Sequence, residues 1–213
     1  MKTPDVLRHP EAERPKDLRS FTSFRMTHGE INFSELFENS NPLEIEIGCG
    51  KGKFLLARAL ECPEINFLGI DRVQKWMKIG IERSLKRKVE NIKFVKEDAR
   101  LVLENLMPGT VSVFHVYFPD PWPKRRHRSR RLVGEALLRL LHSRLRTEGF
   151  VEIATDDLDY FSEIKKASEK TKILWKNIRE TVNRRLYSPL SKTNYELKYE
   201  AAGKNLYYLE LQK

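Results

Sequence analysis

The stretch Glu46-Ile47-Gly48-Cys49-Gly50-Lys51-Gly52 sets an acid two residues ahead of glycines spaced G-x-G-x-G. Glycine lets a backbone turn tightly and lets a ligand approach it closely. A dinucleotide loop would read G-x-G-x-x-G, with a pyrophosphate seated on the following helix N-terminus. The Glu46 carboxylate would repel a pyrophosphate but suits an ammonium group. A ligand with a nucleoside at one end and a cationic amino acid at the other fits better than a nicotinamide dinucleotide. S-adenosylmethionine is such a ligand. The alternative is a tight strand-to-helix turn that binds nothing. Asp71 lies about 20 residues further on, where nucleotide-binding folds place an acid that accepts hydrogen bonds from the ribose hydroxyls. Asp98 is placed to meet an adenine amino group or ring edge, or else to cap the next helix.

A second segment is Phe118-Pro119-Asp120-Pro121-Trp122-Pro123, followed by Lys124-Arg125-Arg126-His127-Arg128-Ser129-Arg130-Arg131. Alternating prolines stiffen the backbone by fixing φ and restricting each preceding residue. A rigid loop is a suitable mount for a catalytic group, and Asp120 lies within it. Trp122 beside it can stack on a base or close a pocket wall. Six of the eight residues from Lys124 to Arg131 are Lys or Arg, with no acid among them. Phosphate contact explains such a block. The alternatives are a solvated helix start, or arginines paired with acids on a neighbouring helix.

These residues need a scaffold, and the chain supplies one from Leu43 onwards. Leu43–Ile47 reads as a strand, Phe54–Glu61 as a helix, and Asn66–Ile70, closed by Asp71, as a strand. Residues 74–89 read as a helix, because Met77, Ile81, Leu85 and Val89 recur on one face. Ile92–Val95 and Val111–Phe118 are further strands. Leu137, Leu141 and Leu145 mark a helical stripe that Gly149 is expected to end. Phe150–Ala154 is a strand, Asp159–Lys170 a helix and Leu206–Leu211 a closing strand. Strand and helix alternate, which predicts an α/β fold with a mostly parallel sheet and helices on both faces. Ligands in such sheets bind beyond the carboxyl ends of the strands. Glu46, Asp71, Asp98, Asp120 and Asp156 stand at five successive strand ends. The first forty residues, with Pro4, Pro10, Pro15 and the run Asn39-Ser40-Asn41-Pro42, read as an arm (1–40) before one domain (41–213).

Composition narrows the classes. The 213 residues carry 40 Lys+Arg against 30 Asp+Glu, a net charge of +10, which points to a polyanionic partner, nucleic acid first. No run approaches the roughly 18–20 apolar residues of a membrane span, and Met1–Pro15 lacks the apolar core of a secretory signal. Two cysteines, Cys49 and Cys62, exclude a disulfide scaffold and a cysteine-rich zinc site, so the expected compartment is the cytoplasm. The five histidines show no metal-ligand spacing, and no metal is expected.

From Leu43 to the C-terminus the chain resembles the bacterial tRNA (guanine-N7-)-methyltransferases, the TrmB family. The resemblance rests on E-I-G-x-G-x-G at Glu46–Gly52, L-G-I-D at Leu68–Asp71 and F-P-D-P-W-P-K with its basic run at Phe118–Arg131. A-T-D at Ala154–Asp156 and T-N-Y-E at Thr193–Glu196 complete it. It implies a Rossmann-like class I methyltransferase with a seven-stranded sheet and one antiparallel strand near the end. It further implies methyl transfer from S-adenosylmethionine to N7 of the variable-loop guanine, position 46, of tRNA. Glu46, Gly48, Gly50, Asp71, Asp98 and Asp120 would contact the cofactor, with Asp120 the catalytic residue. Lys124, Asp156, Thr193, Asn194, Tyr195 and Glu196 would contact the guanosine. Arg126, His127, Arg128, Ser129, Arg130 and Arg131 would contact RNA.

Two rivals follow from the residues. A non-catalytic RNA-binding domain on the same fold is disfavoured by intact acids at every strand end. A methyltransferase acting on an exocyclic amine would favour an N/D-P-P-aromatic loop, of which Asp120-Pro121-Trp122 is a partial match. The sequence leaves monomer and homodimer equally open.

Overall fold

The structure, a computed structural model, describes residues 36–187 and 191–213. The expected arm falls outside the described residues except at its end. There Phe37 is buried in the main core, so packing begins before the boundary drawn after residue 40. Asn39 shapes the turn into the domain: its Oδ1 accepts from the Asn41 N–H and from Asn66 Nδ2.

The elements in chain order are β1 (Leu43–Ile47), α1 (Lys53–Glu61), β2 (Asn66–Asp71), α2 (Gln74–Lys86), β3 (Ile92–Lys96), α3 (Ala99–Glu104) and β4 (Val111–Tyr117). After a 3-10 turn at Arg125–Arg130 come α4 (Glu135–Arg144), β5 (Leu145–Thr155), α5 (Leu158–Lys170), β6 (Asn177–Val182), α6 (Asn194–Ala201) and β7 (Tyr207–Gln212). The strands form one sheet in the order β3-β2-β1-β4-β5-β7-β6. The pairings from β3 through β5 are parallel, and β7 alone runs antiparallel to its neighbours. The sheet and its single reversed strand match what the resemblance implies.

The two faces differ. Leu43, Ile45 and Ile47 of β1 join Phe114, Val116, Val151 and Ile153 in a wholly apolar core against α3, α4 and α5. The other face packs Phe54, Leu55, Met77 and Ile81 of α1 and α2 around Phe67, Tyr117 and Tyr208. Because side chains alternate along a strand, Glu44 and Glu46 both point to this second face. Glu44, Glu46, His115 and Glu152 are all buried there.

Several boundaries differ from expectation for local reasons. α2 stops at Lys86 rather than Val89, because Lys88 takes a left-handed φ of 54°. β4 ends at Tyr117, because Phe118 turns to φ 51°. The stripe of Leu137, Leu141 and Leu145 is split: α4 closes at Arg144 and Leu145 opens β5. Gly149 does not end a helix but lies inside β5, where a Cβ would stand 2.8 Å from the Ser112 carbonyl. It follows Glu148 at φ 62° in a stretch where the β4–β5 register slips between Val111 and Val113. Three elements were given no bounds in the sequence: α3, anticipated only as the helix Asp98 might cap, β6, the unplaced seventh strand, and α6.

Candidate active site

The site grows from the carboxyl ends of β1, β2, β4 and β5. After β1 the chain turns through Gly48 at φ 79° and Gly50 at φ 52°. A Cβ at either would meet nothing within 4 Å, so it is conformation that requires glycine, and the backbone there stays open to a ligand. Two bonds moor the loop to β2, from the Gly48 and Cys49 N–H groups to the Ile70 carbonyl at 2.8 and 3.2 Å. Asp71 adds a third, its Oδ2 accepting from Gly50 N at 2.8 Å while Oδ1 accepts from Val73 N at 2.8 Å. Asp71 therefore shapes the glycine loop from the end of β2. α1 begins at Lys53 with no side chain capping its N-terminus.

Glu46 sits beneath this loop, 5% exposed, and its Oε2 has no hydrogen-bond partner. Burial pushes its pKa well above the usual carboxylate range; Asp71 and Glu196 add to the rise and Arg185 opposes it. An unpartnered buried carboxylate is costly alone and is relieved by a cationic group. That fits the ammonium end of S-adenosylmethionine, and the open glycine backbone fits close approach of the same ligand. Asp98 takes the alternative weighed for it, capping α3 by accepting from Arg100 N at 2.9 Å, with Arg72 at 3.7 Å from its other oxygen.

The proline-rich loop is strained. Phe118 at φ 51° and Trp122 at φ 43° are non-glycine residues in the left-handed region, which costs free energy the surroundings must supply. Three contacts hold it. The Phe118 N–H bonds the Ala154 carbonyl at 2.7 Å, the Phe118 ring lies 5.6 Å from that of Tyr199, and Arg131 Nε donates to the Pro121 carbonyl at 2.7 Å. Asp120 rides on this loop, exposed and without a hydrogen bond or ion pair to any described residue.

The basic run divides in two. Arg131 is buried, and its guanidinium pairs with Asp159 at 2.7 Å and Glu163 at 2.6 Å on α5. It also lies over the Tyr160 ring. Arg128 pairs with the same acids at 2.9 and 3.2 Å. Both were expected to contact RNA; in the structure α5 presents two carboxylates to this run, and they pair with these two arginines. Lys124, Arg125, Arg126 and Arg130 remain exposed. Arg130 lies 5.0 Å over the Trp122 ring, with His127 at the ring's edge; Ser129 is exposed beside it.

The expected guanosine contacts divide similarly. Asp156 accepts from Lys204 at 2.7 Å and remains partly exposed. Thr193 and Glu196 form a capping box that starts α6, Thr193 Oγ1 accepting from Glu196 N at 3.0 Å and Glu196 Oε2 from Thr193 N at 2.7 Å. Glu196 is buried and also bonded to Arg185 and Tyr208, so this pair builds the helix rather than facing out. Asn194 and Tyr195 are exposed, and the Tyr195 ring lies 6.0 Å from that of Phe118.

A buried polar network behind the site was missed. Glu44 bonds His115 at 2.9 Å, Tyr187 OH at 2.7 Å and Arg58 at 3.3 Å. His115 bonds Tyr117 OH, which donates to Glu152. Glu152 in turn accepts from the Tyr187 N–H at 2.9 Å and the Leu186 N–H at 3.2 Å. The signal was present: a sheet covered on both faces should read as continuous apolar strands, yet β1 carries glutamates at alternate positions.

The chain compares closely with known methyltransferases. A family described as "Putative methyltransferase" matches residues 40–209. A tRNA (guanine-N(7)-)-methyltransferase of Listeria innocua is 33% identical over 178 residues, 84% of this chain and 83% of its own. The chain belongs to the tRNA (guanine-N(7)-)-methyltransferase family. A second relative of that name, from Mycoplasma capricolum, is 33% identical over 86% of this chain and 87% of its own. Among solved structures, a 16S rRNA methyltransferase superposes with a TM-score of 0.60 at 14% identity, covering 84% of this chain and 91% of that one, which shows the shared fold. Among the described residues no helix is long and apolar enough to cross a membrane, and no three His, Cys, Asp or Glu side chains cluster as a metal site would need.

Proposed function

We propose that this protein transfers the methyl group of S-adenosylmethionine to N7 of guanine 46 in the variable loop of tRNA. Family membership carries this reading, and an exposed acid on a braced loop beside free cations supports it. When bound, the cofactor supplies an electrophilic methyl on a sulfonium. Guanine N7 has an in-plane lone pair and no proton, so no base need activate it. The protein's task is alignment and charge. Asp71 and the glycine backbone hold the nucleoside end, and Glu46 the ammonium end. Asp120 stands ready to stabilise the purine as it becomes cationic, by accepting from its Watson–Crick edge. Lys124, Asp156, Asn194 and Tyr195 are the residues assigned to the guanosine. The base is engaged within the tRNA core and must be turned out, which costs a few kcal/mol. Phosphate contacts from the free part of the basic run offset that cost.

The deciding experiment is incubation of purified protein with unmodified tRNA and methyl-labelled cofactor, followed by nucleoside analysis. Label in 7-methylguanosine, lost when guanine 46 is replaced, is the expected result. Label on an exocyclic amine would show the rival chemistry, and stable tRNA binding without transfer the binding-only one.

The division of the basic run gives a second test. Arg126→Ala with Arg130→Ala should flatten the slope of log K for tRNA against log salt by about 1.4–1.8, two contacts at roughly 0.7–0.9 each. Binding should weaken about equally for every tRNA, since phosphates carry no sequence information. Arg128→Ala with Arg131→Ala should instead lower the melting temperature and leave the slope unchanged. Equal slopes for the first pair and wild type would remove the phosphate role.

A further inference from the structure

Three buried polar atoms on this face of the sheet lie without partners: Arg58 Nε, held at the Glu44 network, and two of opposite character nearer the loops. One is Glu46 Oε2, and the other is Arg185 Nε, on a residue 8% exposed. Buried unpaired groups of this kind call for a reason. The two nitrogens at the far end of the Arg185 guanidinium are occupied, one by the Ser191 carbonyl at 2.5 Å and one by Glu196. The group lies 4.3 Å from the Tyr117 ring and 5.0 Å from the Phe54 ring, two rings that pack edge to face with each other at 4.9 Å. Tyr117 is the last residue of β4, directly before the Asp120 loop, and Phe54 is the second of α1, directly after the glycine loop. The guanidinium thus packs against residues that border both loops of the site.

The charges there are unbalanced. Glu152 and Glu196 act on Arg185, Arg185 acts on Glu46, and His115 acts on Glu152. A carboxylate alone would be repelled by three acids. A group carrying both an ammonium and a carboxylate offers each orphan its complement.

We propose that Arg185 and Glu46 form a receptor for the amino acid zwitterion of the cofactor, Arg185 Nε donating to the α-carboxylate and Glu46 accepting from the α-ammonium. Arg185 is then a specificity-determining residue for ligands that keep the carboxylate. This rests on the S-adenosylmethionine reading above. The competing position for the carboxylate is the uncapped N-terminus of α1.

Calorimetric binding of two ligands separates these. One is S-adenosylhomocysteine; the other is S-(5′-adenosyl)-3-thiopropylamine, the same molecule without its carboxylate. Wild-type protein should prefer the first by about tenfold or more, as for a charged hydrogen bond. Arg185→Gln should bring the two affinities within about twofold. Tyr208→Phe disturbs the same buried cluster through Glu196 and should keep the wild-type preference. The ratio of affinities is insensitive to the folded fraction, so a merely structural Arg185 would weaken both ligands alike. An unchanged ratio in Arg185→Gln overturns the proposal in favour of the helix N-terminus. Equal affinities in wild type overturn it without any variant. Loss of preference in Tyr208→Phe assigns the effect to packing and also overturns it. Wild-type protein that binds neither ligand defeats the cofactor reading itself, a distinguishable failure.

Discussion

Asp120→Asn should lower kcat on tRNA by about 100-fold or more while leaving the melting temperature unchanged. Both halves follow from the geometry. Asp120 is exposed and bonds no described residue, so a nearly isosteric replacement disturbs no packing and no network; such surface changes stay within about 0.5 kcal/mol. The loop conformation is imposed by the prolines and by the Arg131 bond to the Pro121 carbonyl, none of which the substitution touches. What changes is the charge opposite a purine that turns cationic as the methyl arrives. With the turned-out guanine stacked over it and water displaced, a group aimed at developing charge is worth about 10²–10³ in rate. If Asp120 serves mainly as a cofactor contact, the loss appears in KM for S-adenosylmethionine with kcat preserved. A variant keeping more than about a third of wild-type kcat, a barrier change below roughly 0.7 kcal/mol, removes Asp120 from the catalytic role.

What could be read in the sequence was whatever obeys local rules. β1, β2 and β3 are short runs bounded by turn formers, and their ends fall within a residue or two of expectation. The glycine loop and Asp71 were legible because a left-handed backbone and a strand-end acid are dictated by residue type at fixed spacing. The failures share a different cause. β6 reads Asn-Ile-Arg-Glu-Thr-Val and lies at the sheet edge, half solvated, so it lacks a run of apolar residues. α6 is announced by its capping box, but a T-x-x-E that could contact a nucleoside is spelled the same as one that starts a helix. Leu145 continued a helical stripe until the chain needed it to begin β5. The arginines of the basic run look alike in sequence. Only the approach of Asp159 and Glu163 from α5 separates the two that hold the fold from the others. Arg185 gave no local signal, because its partners are Phe54 of α1, Tyr117 of β4, the Ser191 carbonyl and Glu196 of α6.

The same long-range dependence makes the buried network the place where one substitution should cost most stability. Glu44 is 1% exposed and serves three partners: His115, Arg58 and the Tyr187 hydroxyl. Burial alone would raise its pKa, but the His115 bond and charge, the Tyr187 hydroxyl and Arg58 together hold it below the usual carboxylate value. Glu44→Leu would keep the volume, leave His115 Nε2 buried without its acceptor, and take from Arg58 its buried carboxylate, leaving it Tyr187, Cys62 and Glu61. Breaking one side of a buried pair typically costs about 3–5 kcal/mol. For a chain of this length that is a fall of roughly 6–20 °C in melting temperature. The pH dependence carries a definite sign. A carboxylate whose folded pKa is lowered contributes fully above its unfolded value, near 4.5, and loses that contribution as pH falls through the folded value. The stability gap between wild type and Glu44→Leu should therefore be constant around neutrality and close as pH drops below about 4.5. Glu46, whose raised pKa acts in the opposite sense, is present in both proteins and cancels from the difference. Urea unfolding of both proteins across pH 3 to 7 measures the gap. A gap below about 1 kcal/mol at neutral pH, or one that persists undiminished into acid, would show that the charge of Glu44 is not what holds β1, β4 and the 185–187 segment together.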